Sequence, residues 1–90
     1  MAVVARSVRI VNALGLHARP AAAFVRVAGR HACQVFVQKD DLEVNGKSIM
    51  GMMMLAAEAG SELLIRAEGE GAELAVEDLA ALVQAGFGES

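Results

Sequence analysis

The apolar residues of this chain switch repeatedly between a spacing of two and a spacing of three or four, which restricts the fold to strands and helices mixed along a short polypeptide. Val4, Val8 and Ile10 fall on one side of an alternating stretch from Val4 to Val11, with Arg6 as the exception, and predict a strand that starts at a sheet edge. After a loop over Ala13 to Gly15, Ala21, Phe24, Val25 and Ala28 take helical spacing from Ala18 to a stop at Gly29. Cys33, Val35 and Val37 alternate with Gln34, Phe36 and Gln38 in a second strand that turns through Asp40 and Asp41 into a third, Leu42 to Val44. Asn45-Gly46 marks a turn, Ser48 stands where an N-cap would open a helix over Ile49 to Ala57, and Gly60 stops it. Leu63 and Ile65 give a fourth strand, closed by Gly69-Glu70-Gly71. The stripe Ala72, Ala75, Val76, Leu79, Leu82 and Val83 then gives a last helix ending at Gly86, with Glu73, Glu77 and Asp78 placed near its positive end.

That order predicts an α+β fold, a four-stranded and mainly antiparallel sheet with three helices packed on one face and the other face wet. Phe36 and Leu64, apolar residues on the wet side, run mildly against it. Ninety residues suffice for one core and not for two, so residues 1–90 are expected to form a single domain. Although 56% of the residues are hydrophobic, no apolar run approaches the roughly 20 needed to cross a bilayer. The opening MAVVARSVRIVN lacks the pattern of a secretion signal, and Cys33 has no partner for a disulfide, so the expected compartment is the cytoplasm. A net charge of −3 with no basic stripe, no Trp and no Tyr excludes the usual nucleic-acid binder and points to protein partners. No Cys/His cluster has metal-ligand spacing, and neither a metal nor a cofactor is expected.

Pro20 is tolerated only in a first helical turn, where backbone N–H groups have no acceptor, so a helix must begin close to His17. Gly15-Leu16-His17-Ala18-Arg19-Pro20-Ala21 therefore sets an imidazole at a helix mouth with a guanidinium within one turn. A phosphoryl group on His17 would face the free N–H groups of Ala18 and Arg19 in the favourable field of the helix dipole, with Arg19 adding charge-assisted hydrogen bonds. The plainer alternative leaves His17 as a cap and Arg19 as a solvated surface residue. Ser48 likewise has two readings, a simple N-cap or a phosphorylation site. Met50, Met52, Met53 and Met54 cannot all face a core, and Ile49, Met50 and Met53 are expected to be exposed beside the His17 helix mouth as an apolar patch for partner proteins. His31, at the end of the first helix, reads as an ordinary surface residue.

The segment GLHARPA resembles, at every position, the active-site signature of the HPr family of phosphocarriers. The block Asn45-Gly46-Lys47-Ser48-Ile49-Met50-Gly51-Met52-Met53 is similar to the family's regulatory serine motif, and the likeness covers nearly the whole chain. It implies an open-faced β-sandwich and no independent catalytic turnover. It further implies that His17 carries a phosphoryl group on Nδ1, received from phosphorylated Enzyme I of the phosphotransferase system and passed to EIIA domains, with Arg19 assisting. Ser48 would be the substrate of an HPr kinase/phosphorylase, and the protein a monomer. Leu14 and the Gly86-Phe87 tail lean towards the nitrogen-branch relatives, whereas the intact serine block leans towards HPr proteins under kinase control. A regulatory module acting mainly through Ser48 is the alternative.

Overall fold

The computed structural model describes residues 2–89. Its elements are β1 (Val3–Arg9), α1 (Ala18–Ala28), β2 (Gln34–Lys39), β3 (Leu42–Asn45), α2 (Ile49–Met54), β4 (Glu62–Glu68) and α3 (Ala72–Gln84), followed by a 3-10 turn over Gly86–Gly88. The four strands form one antiparallel sheet in the order β1-β4-β2-β3. This is the α+β open-faced arrangement that the patterning predicts.

Alternation decides which side of the sheet is covered. Val35 and Val37 of β2 and Leu63, Ile65 and Ala67 of β4 are buried, and they meet Phe24 of α1, Met52 of α2 and Leu79 and Val83 of α3 in one core. Arg6, the exception in the first strand, is exposed on the edge strand and lines a shallow groove with Glu73 and Glu77 of α3. Phe36 is tolerated on the open face because its cross-strand neighbour Arg66 lays its guanidinium 4.3 Å from the ring centroid. The same guanidinium is paired to Glu43 at 3.0 Å and to Glu68. Leu64 is left at the border of exposure.

Three local expectations give way. The second helix ends at Met54, not Ala57, because the chain turns at Ala56 (φ +49°) so that the Ala57 carbonyl can accept from the Leu16 N–H at 2.8 Å. Only Glu73 lies in the first turn of α3, so Glu77 and Asp78 do not act on its dipole as a group. Asp78 instead meets His31, whose Nε2 lies 2.9 Å from Asp78 Oδ2 and whose side chain is only 11% exposed. His31 is thus a tie between the end of α1 and α3, not an ordinary surface residue.

Candidate functional site

Local hydrogen bonds explain how His17 comes to stand at the mouth of α1. Gly15 sits at φ +70°, and a Cβ there would lie 2.5 Å from the Ala57 carbonyl oxygen, so only glycine lets the chain pass this close. The turn is closed by Gly15 N–H to Asn12 O (3.1 Å) and by Asn12 Nδ2 to Gly15 O (2.8 Å), and it is docked on the segment after α2 by the Leu16–Ala57 bond. His17 then occupies the N-cap with extended backbone (φ −80°, ψ −171°), and its side chain caps nothing.

The first intrahelical bond runs from Ala21 N–H to His17 O at 3.0 Å. Ala18 and Arg19 therefore present N–H groups without intrahelical acceptors, and buried Pro20 has none to present. The first turn of α1 carries no acidic residue. An anion here would meet two backbone donors, the positive end of an 11-residue helix and the exposed Arg19. The surrounding groove, about 620 Å³, is lined by Leu14, His17, Arg19, Arg26, Phe87 and Glu89 among others.

Three residues of this site, Glu89, Asn12 and Arg26, escape sequence reasoning. Glu89 reaches back from the C-terminal turn to place Oε1 3.1 Å from His17 Nε2 and 3.1 Å from Asn12 Nδ2. The hydrogen bond with His17, then that with Asn12 and the charges of His17 and Arg19, hold the Glu89 carboxyl below the usual carboxylate range against the opposing effect of burial. Asn12 is 3% exposed, and its Oδ1 is buried without a partner among the described residues. Its signal was present: Val8, Ile10 and Asn12 share one parity, so a polar group falls on the inward register. Glu89 has no such signal, because its approach depends on positive φ at Gly86, Phe87 and Gly88. Arg26, two turns below Arg19, was also unassigned.

Ser48 stands at the mouth of α2, where its Oγ accepts from Gly51 N–H at 3.0 Å as an N-cap. Met52 is fully buried, whereas Ile49 (44% exposed), Met50 (74%) and Met53 (45%) face outward as expected, and Met54 joins them at 64%. None of these residues lines the His17 groove among the described residues.

Residues 4–85 match the family described as "PTS HPr component phosphorylation site". The chain belongs to the HPr family. Its sequence is 49% identical over 86 residues to phosphocarrier protein HPr of Pseudomonas aeruginosa, covering 94% of this chain and 96% of that protein. Its structure is similar to the crystal structure of HPr-C-His from Thermoanaerobacter tengcongensis, with a TM-score of 0.92 and 42% identity over 97% of this chain and 98% of that one. A crystal structure of Bacillus subtilis Crh, described as an intertwined swapped dimer, is similar at a TM-score of 0.76 and 51% identity, covering 81% of this chain and 84% of Crh. The HPr assignment makes this chain a phosphocarrier of the phosphotransferase system, a carrier rather than a catalyst in its own right. Among its described residues no helix is long and apolar enough to cross a membrane.

Proposed function

We propose that His17 is the residue that carries the phosphoryl group, accepting it on Nδ1 from phosphorylated Enzyme I and delivering it to EIIA domains. The observation that supports this reading most is the uncapped mouth of α1, where two free N–H groups and Arg19 surround an imidazole that caps nothing. Ala18 and Arg19 supply the backbone donors. Arg19 adds a fork of charge-assisted hydrogen bonds to the phosphoryl oxygens. No cofactor takes part, and the chain works as one cytoplasmic domain of residues 1–90, as a monomer.

Ile49, Met50 and Met53 form the docking patch, and Ser48, the substrate of an HPr kinase/phosphorylase, is its switch. A phosphate on Ser48 sets about two negative charges beside an apolar surface that must lose water on docking, which weakens the complex. Similarity to Crh, described as a catabolite repression protein, favours a second reading, a regulatory module, for which Ser48 would be the controlling residue.

The test is labelling from phosphoenolpyruvate and Enzyme I. Acid-labile phosphate on the native chain and none on His17→Ala supports the carrier. Because His17 makes no cap bond, that variant should lose less than about 1 kcal/mol of stability in a thermal melt. Equal labelling of both proteins overturns the assignment, and no label on the native chain favours the regulatory module.

A further inference from the structure

The contact between Glu89 and His17 reaches the imidazole on the nitrogen that the phosphoryl group does not use. We propose that Glu89, held by Asn12, is a positioning residue that fixes the His17 ring through Nε2 and so keeps the Nδ1 lone pair available to phosphorus. This inference rests on the reading of His17 as the phosphoryl acceptor, and it goes beyond it by assigning work to the C-terminal turn.

The argument starts from valence. An ionised carboxylate can only accept hydrogen bonds, so the 3.1 Å contact between Glu89 Oε1 and His17 Nε2 requires the proton to sit on Nε2. A neutral ring with its proton on Nε2 has its lone pair on Nδ1, and Nδ1 has no hydrogen-bond partner among the described residues. The same carboxylate oxygen accepts from Asn12 Nδ2, and the Asn12 amide also donates to Gly15 O at 2.8 Å. With two acceptors facing Nδ2, the Asn12 amide cannot turn over to offer its oxygen to Glu89. That accounts for the buried Oδ1 left without a partner: its orphaning is the cost of presenting both N–H bonds.

Asn12 thus joins the turn before His17 to the end of the chain, and Glu89 passes that constraint to the ring. The tail is bent for this contact. Gly86, Phe87 and Gly88 are at φ +66°, +58° and +78°, and a run of left-handed residues including a phenylalanine is a strained path.

The transfer step balances without a further reactant. The Nδ1 lone pair forms the bond to phosphorus while the bond from phosphorus to its carrier atom on phosphorylated Enzyme I breaks, and that atom keeps the electron pair. Positive charge then develops on the His17 ring, whose Nε2–H remains hydrogen-bonded to Glu89. A carboxylate oriented by a second group and holding an imidazole by its far nitrogen is the arrangement that fixes ring orientation at histidine metal centres, where losing the partner costs about 10-fold or more.

The test compares the native chain with Glu89→Ala, Glu89→Gln and Asn12→Ala, using long-range 1H–15N correlation spectra of His17 above pH 8 and the rate of labelling by phosphorylated Enzyme I. In the native chain the spectrum should show the Nε2–H tautomer alone. Glu89→Ala should admit the Nδ1–H tautomer and slow labelling by about 10-fold, the low end of the range for such partners. Glu89→Gln retains an acceptor without the charge and should lie between the two, and Asn12→Ala should show both tautomers although Glu89 is intact. Native spectra and native rates in Glu89→Ala overturn the inference while leaving His17 as carrier. A native chain that takes no label on His17 overturns the reading beneath it, and the spectra still report whether Glu89 holds the ring.

Discussion

Two helix mouths in this molecule use the same geometry to opposite ends. Both His17 and Ser48 are N-cap residues with extended backbone, and each follows a glycine that lets two segments pack closely. Ser48 turns its oxygen inward to satisfy the Gly51 N–H, whereas His17 leaves the N–H groups of Ala18 and Arg19 open. The difference teaches that a helix mouth can be built for stability or for a ligand according to where its N-cap side chain points. Modifying Ser48 uses up a cap, while phosphorylating His17 supplies an anion that the mouth otherwise lacks.

Breaking the two glycines should separate the mouths most. At Gly15 a Cβ meets backbone 2.5 Å away at positive φ, so Gly15→Ala should cost about 3 kcal/mol by denaturant titration, and labelling should fall with it. At Gly46 the Cβ would instead meet the buried Val35 Cγ1 at 2.6 Å with ordinary φ, so the core must repack around it but no backbone strain is added. Gly46→Ala should cost nearer 1–2 kcal/mol.

Arg19 sharpens the comparison, because α2 has no basic partner of this kind in its short span. Arg19→Ala should slow labelling by about 10-fold, as expected for one charge-assisted hydrogen bond in a solvated site. Arg19→Lys should recover part of that, since an ammonium keeps the charge and loses the fork. Native rates in both variants would make Arg19 a bystander.

At the other mouth the order of stability and binding should invert. Ser48→Ala loses the bond to Gly51 and should cost about 1 kcal/mol in a thermal melt. Ser48→Asp keeps a cap and should change stability by less than about 1 kcal/mol, yet it should weaken Enzyme I binding more in calorimetry by placing charge beside Ile49, Met50 and Met53. If Ser48→Ala weakens binding as much as Ser48→Asp, a frayed α2 and not charge controls docking.

The smallest effect is the pH response of the tail. Because contact with His17 depresses the Glu89 carboxyl below its ordinary 4.5, the stability it contributes is complete above that value and is lost as the pH falls through the lower folded value. In a 13C titration the Glu89 carboxyl should show a midpoint below 4.5, and the same titration on His17→Ala should move it back towards the ordinary value. An unchanged midpoint would remove His17 as the cause.

Patterning revealed the layers because the buried residues of β2, β4 and α3 obey periods that a core imposes along the chain itself. Pro20 placed the mouth of α1 for an equally local reason. Ala57 cannot be read as the end of a contact, since its departure from helix answers to Leu16, which lies far earlier in the chain. His31 reads as a surface residue in sequence because Asp78, its partner, lies on another element. Asn12 could have been found from its parity beside Val8 and Ile10. Glu89 could not, as nothing in the sequence of a tail says which ring it will touch.

The strand order β1-β4-β2-β3 has a consequence in time. Because β1 has no strand neighbour but β4, and the turn bearing His17 is pinned by Ala57 and Glu89, the segment from β1 to His17 is expected to be among the last to become ordered. Forming such distant contacts must first overcome the entropy of closing long loops, so this mouth should mature late in folding, after the more local β2-β3 hairpin. A growing chain on the ribosome would thus expose its histidine long before Ala57 pins the turn beneath it and a carboxylate reaches its ring. Competence to exchange phosphoryl groups would then arrive together with completion of the sheet.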